Sequence, residues 1–403
     1  MEFLKIIVIF SAIMVFIKLK KPLYFSIMSG VILTLILYTV PIGKSLELFK
    51  HGITDTNTIN LILAFYSITF IQRMLEKKNF INLAEQTLDN IFNSKRVNIM
   101  LAPFIIGLLP SVSAVLIAAP IVKNSAGDSL STEEKAFVTS YYRHISEAFL
   151  PTYASILLAL NLSGIQATRF VFAMLPIVAI LFILGYVFYV KKIPKTPVSI
   201  ENKNVDKIRE FKKLFIYLWP IIAVITLILG FSVPVWIASL TIIVLFAIIH
   251  RFTLKELFPM IRGAFEVKLI LSTVCIMIFS KVLAHVGIIT RLPTYFEHLS
   301  LHPVIVFGLI FLASTLIAGS QATIALVIPM AFAAIPDGGV PMMVFLMSLT
   351  YIAMQISPTH ICLLITAEYY NITFIDLVRK TMPVLVSFLV ITIVYSWLLY
   401  IVF

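Results

Sequence analysis

The chain says nearly the same thing twice, about 208 residues apart. Leu61-Ile62-Leu63-Ala64 returns as Leu269-Ile270-Leu271-Ser272, and Pro151-Thr152-Tyr153 returns as Pro358-Thr359-His360. Between these, Leu109-Pro110-Ser111-Val112-Ser113-Ala114 through Pro120 is matched by Ala318-Gly319-Ser320-Gln321-Ala322-Thr323 through Pro329. All of these segments lie in strongly apolar sequence. Two halves that each break a hydrophobic segment with small, hydroxyl-bearing and proline residues point to a membrane protein with a site where the repeats meet.

With 60% hydrophobic and only 12% charged residues, the chain has about half the charge of an ordinary globular enzyme. Apolar runs long enough to cross a bilayer recur from Phe3 to Phe403. The first run is read as a retained span, because Lys18, Lys20 and Lys21 follow it where a signal peptide would carry a small-residue cleavage site. The net charge of +12 does not point to nucleic acid, since the positive residues sit in short loops between spans. Cys275 and Cys362 both fall in apolar stretches and read as small core residues, without metal-ligand spacing.

Spans are expected at 3–18, 22–43, 59–76, 140–165 and 168–190, and again at 213–230, 232–250, 264–289, 341–368 and 381–403. The segments 97–123 and 303–335 are each interrupted centrally. The first is too short for two spans, which need about 40 residues, so each is expected to be a re-entrant helical hairpin. With the N-terminus outside, this arrangement places most of the 31 basic residues on the cytoplasmic side, including those of the hydrophilic linker. A single crossing of 97–123 would put the linker outside. The expected architecture is therefore an all-α polytopic membrane protein of two inverted repeats, residues 1–190 and 213–403, joined by a cytoplasmic linker at 191–212. Each repeat has five spans and one hairpin. An odd number of spans is what inverts the second repeat.

Backbone groups freed inside a bilayer persist only where protein or a wet cavity receives them. The hairpin tips nominate Ser111, Ser113, Ser320, Gln321 and Thr323 as substrate contacts. Pro151 and Pro358 unwind the spans that follow, and this adds Thr152, Gln355, Ser357, Thr359 and His360. Glu147 and His360 are the candidate ion-coupling groups: a carboxylate inside the bilayer is costly unless partnered or functional, and an imidazole titrates near neutrality. Arg143 and His144 read as structural partners of Glu147. Asp128, Glu133, Glu134 and Lys135 read as a solvated loop with a helix cap. No zinc-protease box, phosphate-binding loop or nucleophile elbow occurs, so no enzyme is expected.

In these features the chain resembles the ion transporter superfamily, and more narrowly the DUF401 integral membrane proteins. The resemblance implies a scaffold that dimerises and a transport domain that carries solute by an elevator movement. It places the site at Ser111-Val112-Ser113, Gly319 to Thr323, Pro151-Thr152 and Ser357-Pro358-Thr359. Neither tip carries the Ser-Asn-Thr triplet of sodium-coupled dicarboxylate members, which favours proton-coupled relatives. The expectation is secondary transport of a small organic anion across the cell membrane, coupled to H⁺ or Na⁺. It includes both termini outside, a homodimer, no cofactor and no nucleic-acid partner. Cation/proton antiport and an ion channel are the competing readings.

Overall fold

The computed structural model describes residues 2–91, 94–108, 114–194, 206–288 and 301–402. Helix dominates, and no strand occurs among the described residues. The first half runs α1 (Glu2–Lys18), α2 (Leu23–Leu37), α3 (Ile42–Thr54), α4 (Thr56–Lys77), α5 (Phe80–Ile91), α6 (Lys95–Ile106), α7 (Ala114–Ala126), α8 (Thr132–Ile145), α9 (Ala154–Ser163) and α10 (Ala167–Phe188). The second half continues as α11 (Lys207–Phe231), α12 (Val235–Ile249), α13 (Leu254–Gly263), α14 (Val267–His285), α15 (Pro303–Ala318), α16 (Ser320–Ala334), α17 (Gly339–Met354), α18 (Ile361–Tyr369) and α19 (Phe374–Val402).

Six helices among the described residues are long and apolar enough to cross a bilayer: Thr56–Lys77, Ala167–Phe188, Ile208–Phe231, Val267–His285, Pro336–Met354 and Phe374–Val402. The chain is an all-helical, multi-pass membrane protein. The expected spans at 140–165 and 341–368 are each two helices, α8–α9 and α17–α18, with the break at the anticipated proline. The expected span 22–43 stops at Leu37, because residues 42–54 form a separate amphipathic helix. That helix exposes Ile42, Leu46 and Ile53 along one face. In α13, Leu254, Phe258 and Ile261 are exposed in the same manner. Short helices with an exposed apolar stripe suit the bilayer interface. The paired arms α6 and α7, of 12 and 13 residues, rise about 18 and 20 Å, well short of a bilayer core of about 30 Å.

Packing sorts the helices into two groups. α2 lies on α14 and α12 on α4, with α1, α3, α5, α11 and α13 alongside. The second group gathers α6–α10 and α15–α19: α8 packs on α6 and α19, α17 on α15 and α10, α9 on α16 and α18 on α7. Many contacts in one half thus have a counterpart with the halves exchanged. The centre of the second group holds the most buried of the six long apolar helices. In the Pro336–Met354 helix 83% of the apolar window is buried, against 33% in Phe374–Val402, so the former is central and the latter peripheral.

Tyrosine hydroxyls buried in this centre are satisfied by backbone carbonyls. The hydroxyl of Tyr141 donates to the Leu181 carbonyl at 2.9 Å and that of Tyr142 to the Phe182 carbonyl at 3.3 Å. One sequence expectation fails at the start of α8. Ser131 and Glu134 form the anticipated capping box, but Glu134 is buried rather than solvated. Its Oε1 accepts from Lys192 Nζ at 2.8 Å and Lys380 Nζ at 3.4 Å, so the carboxylate ties α8 to the ends of α10 and α19.

Candidate functional site

Hydroxyl groups fasten the helix breaks to the paired helices in both halves. After α8, Ser146–Ala148 form a single 3₁₀ turn. Ser146 Oγ donates to the Phe104 carbonyl at 3.1 Å, and the Tyr153 hydroxyl donates to the Gly107 carbonyl. After α17, Ser357 Oγ donates to the Leu316 carbonyl at 3.0 Å and lies 2.7 Å from Thr359 Oγ1. The final carbonyls of a helix have no intrahelical partner, and these hydroxyls supply one. Between α15 and α16 the chain turns on Gly319, whose φ of 81° and ψ of 167° belong to a region that is essentially glycine's alone.

A cavity of about 1000 Å³ lies between the two helix groups. From the first group come Lys20, Arg73, Glu76, Glu266, Lys268 and Ser272; from the second come Arg143, Glu147, Thr152, Ser320, Gln321 and His360. Lys20 and Glu76 mark the ends of α1 and α4, and Glu266 precedes α14, so these charges form the rim at one end of the bundle. A second cavity of about 330 Å³ adjoins it beneath the Gly319 turn and shares Ser320, Gln321, Thr359 and His360.

The inner wall holds one buried cation, paired with a carboxylate. Arg143, Glu147 and the neighbouring residues sit where α8 ends. Arg143 Nη1 lies 3.2 Å from Glu147 Oε2, with the guanidinium side chain 3% and the carboxylate side chain 16% exposed, so the carboxylate is the outer member of the pair. Three helix N-termini also face the cavity: α9 through Ala154 and Ser155, α16 through Ser320 and Gln321, and α18 through Ile361 and Cys362. None of the three has a side-chain cap. Their N–H groups and macrodipoles favour negative charge. Lys20, Arg73, Arg143 and Lys268 outnumber Glu76, Glu147 and Glu266 in the lining.

His144 and His360 join the two breaks. His144 Nδ1 lies 2.6 Å from the Ser140 carbonyl, which can only accept, so Nδ1 carries a proton. A neutral His144 then accepts at Nε2, and His360 Nε2, 2.8 Å away, donates to it. His144, His360 and Cys362 bring potential metal-ligand atoms within 4.8 Å of one another. However, the permanent cation Arg143 lies 3.8 Å from Cys362 Sγ, and the imidazole nitrogens already bond each other, so the cluster is poorly suited to a cation.

Of the residues nominated from sequence, Thr152, Ser320, Gln321, Thr359, His360 and Glu147 line the larger cavity, and Ser357 lines the smaller. The Thr152 hydroxyl is buried and makes no hydrogen bond among the described residues. Thr323 and Gln355 line neither of these two cavities: the Thr323 hydroxyl donates to the Gly319 carbonyl at 3.1 Å, and Gln355 is buried. Ser111 and Ser113 lie outside the described residues. Sequence reasoning assigned no ligand contact to Arg143, Tyr153, Ser155, Ser272 or Cys362. Tyr153 and Ser272 belong to the repeated segments, and Arg143 carried the signal of a permanent charge four residues before Glu147, beside a predicted break.

The chain belongs to the family described as Protein of unknown function (DUF401), which matches residues 4–403. Comparison with curated proteins finds no match. Among solved structures the fold is similar to that of the Alcanivorax borkumensis YdaH transporter. The TM-score is 0.65 at 10% sequence identity, with 90% of each chain covered.

Proposed function

With that family and fold as premise, we propose that the protein is a secondary active transporter of a small organic anion. The observation that carries this reading is the convergence of buried Arg143 and three uncapped helix N-termini on one cavity. A carboxylate placed there meets a permanent cation and oriented N–H donors, while a cation meets neither. The volume lies at the upper end of small-molecule sites, larger than a bare ion needs. The similarity to a structure described as a transporter supports the same direction.

The coupling ion in this reading is the proton, taken up at Glu147 with His360 nearby; sodium is the alternative. Thr152, Ser320, Gln321 and Thr359 read the remainder of the solute, with Ser111, Ser113 and Ser357 around the tips. Inverted repeats are supported by the exchanged packing of the halves, α2 on α14 with α12 on α4, and α8 on α19 with α17 on α10. The elevator mechanism is supported by the cavity's position between the two helix groups: the group with both breaks would move against the other. With the termini outside and linker 191–212 inside the cell, the charged rim at Lys20, Glu76 and Glu266 is cytoplasmic and the cavity opens inward. The cell membrane and a homodimer complete the proposal.

The test is flux in liposomes containing the purified protein and an internal pH dye. External acetate, L-lactate, gluconate, succinate, citrate and benzoate are added in turn. Saturable internal acidification with one of them, and counterflow of its labelled form, is the expected result. Conductance without saturation or counterflow would establish a channel. Acidification driven only by internal Na⁺ or K⁺, with no anion dependence, would establish cation/proton antiport.

A further inference from the structure

We propose that Glu147 occupies, in the empty protein, the place of the transported anion's carboxylate, and that Arg143 is the cation both carboxylates share. This rests on the organic-anion reading above and adds to it the anchoring residue and the means of coupling. The geometry is specific. Arg143 is nearly enclosed, and among the described residues it pairs on the cavity wall with Glu147, 3.2 Å away and more exposed. Both residues line the cavity; among the described residues its walls hold one further arginine, Arg73, which pairs with Glu76 at 3.3 Å on the rim.

An incoming carboxylate therefore finds its natural partner occupied. Two carboxylates beside one buried guanidinium leave one negative charge uncompensated, which is costly. A proton on Glu147 removes the conflict. The protonated acid gives up the ion pair, Arg143 turns its N–H donors to the solute, and the proton travels with the anion. Release of the anion on the other side lets Glu147 lose the proton and recover Arg143. One H⁺ then accompanies each monocarboxylate, and neither the loaded nor the empty pair carries net charge.

The other titratable groups near Glu147 fit this exchange. From α8 there are Arg143 and His144, whose Nε2 is 3.9 Å from Glu147 Oε2. Tyr153 approaches from the first break, His360 and Cys362 from the second, and Tyr351 from α17. Among the described residues no second carboxylate occurs in this group, and Glu76 and Glu266 of the same cavity lie on its rim.

The experiment measures affinity of the detergent-purified full-length chain for acetate, L-lactate, gluconate, succinate, citrate and benzoate by calorimetry at pH 5.5 and 8.0. Wild type is expected to bind one of these at least about 10-fold more tightly at pH 5.5, the span of one proton-linked decade or more. Glu147→Gln should bind with the same affinity at both pH values, and at least as tightly as wild type does at pH 5.5. The double variant Arg143→Gln/Glu147→Gln leaves no unpaired buried charge and so should fold, which size-exclusion chromatography checks. It should lose at least about 10-fold in affinity at both pH values, as expected for a lost charge-assisted hydrogen bond. If wild type binds a carboxylate and the folded double variant binds it equally well, or Glu147→Gln keeps the full pH dependence, the exchange is overturned while the organic-anion reading stands. If wild type binds none of the six at either pH, both are overturned.

Discussion

Gly107 provides the sharpest test of how the site is held. It ends α6 with a helical φ of −67°, so its backbone tolerates any residue, and glycine is required there for space alone. A Cβ built on Gly107 would lie 2.1 Å from the Arg143 carbonyl oxygen and 2.9 Å from Ser146 Oγ, whereas an ordinary contact begins at 3.4 Å. Gly107→Ala must therefore part α6 from α8 by more than 1 Å, against backbone rather than a flexible side chain. Overpacking of this kind costs about 1–3 kcal/mol. Loss of the buried bond from the Tyr153 hydroxyl to the Gly107 carbonyl adds about 1 kcal/mol. The combined destabilisation is about 2–4 kcal/mol, concentrated where Arg143 meets the cavity. The assay is the thermal midpoint and carboxylate affinity of the purified protein, with Gly43→Ala as control, since nothing lies within 4 Å of a Cβ there. Gly107→Ala should melt several degrees lower and bind more weakly, while Gly43→Ala should match or slightly exceed wild type. Equal melting of the two variants would refute the close approach.

Other residues give independent outcomes. Gly319→Ala meets open space, its nearest neighbour being Thr359 Oγ1 at 3.8 Å, but its φ of 81° should cost about 1–3 kcal/mol and weaken anion binding. Gly164→Ala, with φ of 72° at the end of α9 and away from the cavity, should lower the melting point without changing affinity. His144→Ala and His360→Ala share one hydrogen bond, so in a double-mutant cycle the double variant should cost less than the sum by about 0.5–1.5 kcal/mol; strict additivity would show that the bond is absent. Asp55, the N-cap of α4, accepts from Lys281 Nζ at 2.7 Å, and this bond holds its carboxyl below the usual 3.8. A depressed folded value stabilises at pH above the unfolded one and is lost as pH falls through the folded one. Asp55→Asn keeps a capping residue, so it should melt lower than wild type by a constant margin from pH 5.5 to 8. That margin should shrink only below about pH 4, where wild-type Asp55 protonates as well; a margin that persists unchanged in acid would refute the ion pair.

Sequence located the breaks because proline and glycine act through the backbone itself. Pro151, Pro358 and Gly319 all lie where the helices part. The amphipathic helices were harder to find. Ile42, Leu46 and Ile53 lie among Lys44, Glu47 and Lys50, a helical period that was masked by the long apolar run before it. Helix α5 was missed because residues 80–91 are mixed in polarity and follow a span directly. Glu134 looked solvated, since nothing local announces Lys192 or Lys380. The same limit applies to the site. Arg143 and Glu147, four residues apart in sequence, look like an ordinary structural pair. Only tertiary folding brings His360 and Cys362 from more than 200 residues away to the same point. Spacing along a chain carries no trace of such a meeting.

The central claim is that this cavity receives a small organic anion. The most direct test is the thermal midpoint of the purified full-length protein against carboxylates, inorganic anions and Na⁺ at pH 5.5 and 8, because a ligand that binds only the folded state raises the midpoint by mass action. The account predicts stabilisation by one carboxylate, stronger at pH 5.5 and indifferent to Na⁺. No response to any carboxylate, with stabilisation by a cation alone, would contradict it.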